Sequence, residues 1–224
     1  MNRIARWSAP WAVAALCLAA AAAPAPAAES TPPLEYILGQ LEKRYTGSQF
    51  SAEFVQESTI KSMEITDFAS GRVYVKHPGM MRWEYEKPER QVIITDGHQL
   101  WIFRPQDNLV MVGQAPVFFR DGKGASFLSD IGLVRKKFTI TLARPEGENL
   151  YELRMVPREG TLNVAEVRLA VTPRAFTIAR ITTLSGYGDD TRIDLVSPQF
   201  NVNLAESLFR FEIPPGAEVQ KIEE

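Results

Sequence analysis

Cysteine is all but missing from this 224-residue chain: Cys17 is the only one. It lies in an N-terminal leader, so the mature protein is expected to hold neither a disulfide nor a thiolate, and its stability has to come from packing. Histidine is nearly as scarce. His77 and His98 each stand alone, with no partner three to five residues away, which argues against a metal site. Positive charge is not in surplus either, with 25 basic against 27 acidic residues. Without a dense Lys/Arg cluster the chain lacks the electrostatic footprint of a nucleic-acid or anionic-bilayer binder. No apolar run beyond the N-terminus is long enough to span a bilayer.

Catalytic motifs are also lacking. Asp189 and Asp190 form the obvious carboxylate pair, yet they sit in a Gly-flanked stretch that reads as a hairpin turn. Asp96 and His98 have no serine on a nucleophile-elbow motif to work with. Asp121-Gly122-Lys123-Gly124 lacks the glycine spacing and the following Ser/Thr of a phosphate loop. These absences favour a binding protein over an enzyme, and no cofactor is implied.

What is present begins with a leader. Arg3 and Arg6 precede an Ala-rich stretch broken by Pro24 and Pro26, and Ala25-Pro26-Ala27 fits a small-x-small cleavage site. Residues 1–27 therefore read as a secretory signal peptide and residues 28–224 as a single soluble domain. Leu16 before Cys17 argues against a lipid-modified cysteine.

After the leader, Pro32 and Pro33 suit the first turn of a helix. Leu34, Ile37, Leu38, Leu41 and Tyr45 then recur at helical spacing, with a stop near Gly47. One apolar stripe cannot tell a fixed layer from a movable lid.

From Phe50 onward the period becomes two. Phe50, Ala52 and Phe54 oppose Ser51 and Glu53, and Val73 and Val75 oppose Arg72 and Lys76. Later, Tyr151, Leu153 and Met155 oppose Glu152 and Arg154; Val167, Leu169 and Val171 oppose Glu166 and Arg168; Ile193 and Leu195 oppose Arg192 and Asp194. Turn signals at Pro78-Gly79, Asp96-Gly97, Pro105 to Asn108, Gly186 to Asp190 and Pro198 separate these runs. About ten strands result, in a sandwich, a closed barrel or a curved open sheet. Residues 116–133 break the pattern and read as short helices and loops.

Three segments resemble the LolA family of periplasmic lipoprotein carriers. Phe50, Ala52, Phe54 and Gln56 reproduce the family's opening strand. Gly71 to Phe103 is similar to its glycine, extended strand, proline corner, aromatic strand and Asp-Gly hairpin leading to Leu100-Trp101. Phe209 to Val219 looks like its closing strand with a Pro-Pro-Gly turn. The chain departs at His77, where the family commonly has an arginine that latches a helical lid. A histidine there would latch more weakly.

The resemblance implies a mainly β protein with some α: an incomplete antiparallel β-barrel, or half-barrel, of about ten or eleven strands covered by a helical lid. It implies a monomeric periplasmic chaperone whose apolar cavity takes the acyl chains of lipoproteins from the inner-membrane ABC transporter LolCDE to the outer-membrane receptor LolB or an equivalent. Carriage of other envelope lipids, or an anchored receptor or envelope-stress sensor of the same fold, are the alternatives. One long acyl chain left in water costs on the order of 10 kcal/mol, so free diffusion is excluded. Expected lipid-binding residues are Val73, Val75, Met81, Trp83, Tyr85, Ile94, Trp101 and Phe103 on the concave face and Phe118, Phe119, Phe127 and Leu128 on the cover, with His77 as the lid latch. The same side chains would equally serve as ordinary core.

Overall fold

Pro32 and Pro33 lead into α1 (Leu34–Tyr45). The carbonyl of Pro33 accepts the first helical hydrogen bond from Ile37 N–H at 3.2 Å and also the N–H of Tyr36 at 3.0 Å, which satisfies one of the otherwise unpaired donors of the first turn. Ile37, Leu38, Leu41 and Tyr45 are its buried stripe. The helix ends at Thr46, which is extended, and Gly47 supplies the left-handed residue beyond it at φ 71°. The computed structural model describes residues 31–115, 128, 132–143, 149–159 and 163–222.

The alternating stretches form one sheet. Its strands are β1 (Gln49–Ile60), β2 (Ile65–Lys76), β3 (Met80–Lys87), β4 (Gln91–Asp96), β5 (Gln99–Arg104), β6 (Leu109–Gln114), β7 (Phe138–Ala143), β8 (Tyr151–Pro157), β9 (Glu166–Val171), β10 (Ile178–Leu184), β11 (Asp190–Phe200) and β12 (Glu218–Lys221), with a short helix α2 (Gly132–Lys137) before β7. The order is β12-β6-β5-β4-β3-β2-β1-β11-β10-β9-β8-β7, so β2 and β1 lie at the centre and β12 and β7 at separate edges. The sheet is open, an incomplete barrel with helices over one face, and the sandwich and the closed barrel are excluded. Among the described residues it has twelve strands, where periodicity predicts about ten and the family resemblance ten or eleven.

Two local expectations are corrected. Pro198 does not turn the chain. It lies within β11, where the register against β1 slips between Ser51/Gln199 and Glu53/Val196 and Ser197 takes φ 49°. The extra residue makes a β-bulge, one of the few places a sheet tolerates proline. The closing segment is not one long strand either. A 3-10 turn at Glu206–Phe209 is followed by irregular chain, and only β12 pairs, parallel to β6. Every other pairing is antiparallel.

The turn signals otherwise hold. Asp96 Oδ1 accepts the N–H groups of His98 and Gln99 at 2.8 and 2.7 Å, making the side-chain-capped turn that joins β4 to β5. Asp189 sits in the β10–β11 connection and accepts the Lys61 N–H at 3.0 Å.

Candidate lipid-binding face

Strand pairing sets which side chains stand abreast. Across the sheet, Ala52, Val73, Trp83, Ile93, Ile102 and Met111 share one row. Leu142, Leu153, Leu169, Ile181 and Ile193 share another on the same face. From β7 to β3 this inner face is the one α1 covers, because its apolar side chains and the helix's Ile37, Leu38, Leu41 and Tyr45 form one buried cluster with Leu128 and Val134, while Ile102 and Met111 pack in a second cluster with Leu100, Ala115 and Ile222. Burying an aliphatic side chain of this size is worth about 1.5–3 kcal/mol, so the cover is held mainly by apolar contact.

Two polar fastenings add to it. Tyr45, 2 % exposed, ends α1 with its hydroxyl oxygen accepting the N–H of Ile178 at 2.9 Å. Its ring meets Phe50 and Phe200 edge-on at 5.4 Å each. Arg135 of α2 hydrogen-bonds both Glu35 and Glu42 of α1, a clamp between the two helices.

The outer face divides. Along β8 to β11 it is charged: Arg154 and Arg168 both bond Glu166, and Arg180 and Arg192 both bond Asp194 at 2.7 and 2.8 Å. Burial pushes the Glu166 carboxyl up, and the hydrogen bonds from Arg168 and Arg154 more than reverse it, leaving it below the usual range. Along β4 to β6 the outer face is instead apolar and is covered by the chain after β11. The Glu206–Phe209 turn lies against β3 and β4, Phe209 is buried, and Phe211 sits 6.3 and 5.6 Å from the rings of Trp101 and Phe103.

The predicted residues therefore separate. Val73, Val75, Met81, Trp83 and Leu128 are buried together on the inner side. Tyr85 joins them, half-buried, packed on Phe54 at 5.0 Å and donating its hydroxyl to Gln56 Oε1 at 3.0 Å. Ile94, Trp101 and Phe103 belong to the opposite face: Ile94 and Trp101 are register partners on the side facing Phe211, which corrects their expected place on the concave face. The physical reason is that β4 and β5 are covered on both sides, so their parity carries no information. Phe118, Phe119 and Phe127 lie outside the described residues. His77 follows β2; its backbone N–H donates to the Ser48 carbonyl at 3.1 Å, and among the described residues its imidazole has no hydrogen-bond partner. The inner-face residues missing from the expectation, Phe54, Leu153, Leu169, Ile181 and Ile193, carry the same alternation that identified their strands and were open to the same inference.

The space between α1, α2, β8 and β9, lined by Leu38, Leu41, Val134, Leu153 and Leu169 among others, is only about 10 Å³, room for about one water and not for an alkyl chain. There α1 and α2 pack directly on β8 and β9, with Leu38 and Leu41 against Leu153 and Leu169.

An open antiparallel half-barrel with a helix seated in its trough is the decisive geometry, and the sequence comparisons match it. The family model for the outer membrane lipoprotein carrier protein LolA matches residues 46–212. The chain belongs to the LolA family. Among relatives, the outer-membrane lipoprotein carrier protein of Chromobacterium violaceum is 29% identical over 94% of this chain and 96% of its own length. That of Pseudomonas aeruginosa is 25% identical over 92% and 95%. The fold is similar to that of an uncharacterised conserved protein from Thermus thermophilus, with a TM-score of 0.54 at 16% identity over 84% of this chain and 98% of that one. Among the described residues, no helix of this LolA-family chain is long and apolar enough to cross a membrane.

In this LolA-family chain the Arg135 clamp gives a direct prediction. Its guanidinium is partly exposed, so releasing it costs about 1 kcal/mol or less. Arg135→Ala is expected to speed uptake of a fluorescent fatty-acid probe a few-fold while thermal unfolding shifts little; stopped-flow fluorescence reads the rate. An unchanged rate would show that α1 moves independently of α2.

Proposed function

We propose that this LolA-family protein, cleaved after Ala27 and working in the periplasm as a single-domain monomer, receives acylated lipoproteins from LolCDE and delivers them to LolB or an equivalent receptor. The acyl chains lie on the inner face against Val73, Val75, Met81 and Trp83, with Tyr85 and Leu128 at its margins. Its role is binding and release, not catalysis.

The observation that carries this reading is the burial of α1 against the inner face. An acyl chain seated on that face has to displace Ile37, Leu38 and Leu41. Returning these to water costs on the order of 5–9 kcal/mol, against roughly 10 kcal/mol gained by sheltering one long acyl chain. The two terms nearly cancel. A carrier balanced in this way accepts cargo pushed in by an exporter and yields it to a receptor without an energy source, whereas a preformed cavity would retain it.

The direct test is mass spectrometry of the protein purified from its native periplasm together with what it carries. Triacylated lipoprotein at near one-to-one stoichiometry is the expected result. Recovery with no acyl-bearing cargo, before and after incubation with exporter-bearing proteoliposomes, would overturn the reading.

A further inference from the structure

Beside the C-terminal half of α1, where the β9–β10 turn and the end of β11 come up to it, lies a pocket of about 370 Å³. Lys43, Arg44 and Arg174 stand around it, Phe176 and Phe200 form its apolar side, and no carboxylate lines it. The contrast with the outer face is direct. There, Arg154 and Arg168 share Glu166 and Arg180 and Arg192 share Asp194; here, among the described residues, none of the three cations is paired with an acid. Arg44 lies over the Phe200 ring at 4.7 Å, which holds the guanidinium at the pocket without neutralising it.

Phe176 and Phe200 also pack against the buried inner-face cluster. Phe176 stacks on Tyr151 and meets Tyr36 of α1 edge-on at 5.8 Å. The pocket is thus positively lined on its solvent side, and its apolar wall is made of two rings whose other side packs on the inner-face cluster. That is the polarity of an amphiphile with a compact anionic head and a long tail. Cations that converge without a counter-charge recognise phosphate through charge-assisted hydrogen bonds.

We propose that this pocket binds the phosphate headgroup of an acyl lipid whose tail lies in the trough, giving the protein a second class of cargo beside lipoproteins. The inference rests on the reading that the inner face takes acyl chains. A triacylated cysteine carries no phosphate, so the two cargoes differ only at the mouth. Lys43 and Arg174 are exposed and would meet the headgroup directly, while Arg44 lines the wall beneath them.

The test compares three probes of increasing complexity: inorganic phosphate, a monoacylglycerol, and a lysophosphatidylglycerol of the same chain length, each titrated by calorimetry below its critical micelle concentration. The wild-type protein is expected to bind the anionic lipid about tenfold more tightly than the neutral one. The Lys43→Gln/Arg174→Gln double variant, which alters only exposed side chains, is expected to lose that preference and keep its affinity for the neutral lipid. Equal affinity for the two lipids in the wild type, or a preference that survives in the variant, overturns the proposal. Inorganic phosphate bound in a variant-sensitive way, with no preference between the lipids, makes the pocket a free-anion site and removes the lipid. Failure of the neutral lipid to bind at all is a separate result, which counts against acyl carriage itself.

Discussion

Gly71→Ala is expected to lower the unfolding free energy by on the order of 3–5 kcal/mol, a large part of what a domain of this size possesses. Gly71 sits in β2 opposite Tyr85 of β3, directly after a slip in register. A β-carbon built there would stand 1.8 Å from the carbonyl oxygen of Glu84 and 3.0 Å from the Cα of Tyr85. Both obstacles are backbone, so no rotamer change relieves them, and the two strands have to separate where Phe54 and Tyr85 pack at 5.0 Å. Urea unfolding should show a lower midpoint at unchanged slope. Gly39, inside α1, makes the control: nothing lies within 4 Å of its would-be β-carbon, and Gly39→Ala should gain about 0.5–1 kcal/mol from helix propensity. Similar outcomes for the two substitutions would refute the close approach of β2 to β3.

Alkali should loosen the protein through Tyr45. Burial pushes its hydroxyl up to about 12, outweighing the opposing effects of the Ile178 N–H and of Arg44. In the unfolded chain a tyrosine ionises near pH 10. The folded state thus holds the proton that the unfolded state releases. The resulting stability is fully present below about pH 10 and is lost as pH rises toward 12, amounting to on the order of 2–3 kcal/mol for this one group. Tyr85, also pushed up to about 12 by burial, adds in the same direction. Tyr45→Phe removes the titration but leaves the buried Ile178 N–H without its acceptor, a loss of about 1–3 kcal/mol at neutral pH. The variant should start less stable at pH 7 and approach the wild type by pH 12. Parallel stability curves for the two proteins would show that Tyr45 does not stay buried.

These effects bear on how far sequence reading reaches. Period-two alternation is visible wherever one side of a strand meets water, as in β8 and β11, where Arg154 and Asp194 mark the wet side. It fails in β4 and β5. Ile93 and Ile102 face inward, and Ile94, Trp101 and Phe103 face outward under the returning C-terminal chain, so both parities are apolar. Phe211, the residue that decides the matter, lies more than a hundred positions away from Trp101 and Phe103. The stripe on α1 was legible as a helix face, but its depth in the trough was not. How far a helix enters a groove depends on the facing side chains across all the central strands at once. Ser197 illustrates a third limit: Pro198 signals a turn locally, and only the pairing of β11 with β1 turns that signal into a bulge.

The chain beyond β11 has a role its sequence does not advertise. Lys76 Nζ and Arg82 donate to the carbonyls of Leu204 and Leu208 at 3.1 and 3.2 Å, Asn108 donates to Gly216 at 2.8 Å, and β12 then zips along β6. Such a strap braces one half of the sheet from its outer side and ends with Ile222 tucked against Leu100 and Ile102. On the function proposed above, guests come and go on the helical side while the braced wall keeps its curvature, so an unloaded trough has a fixed template to close upon.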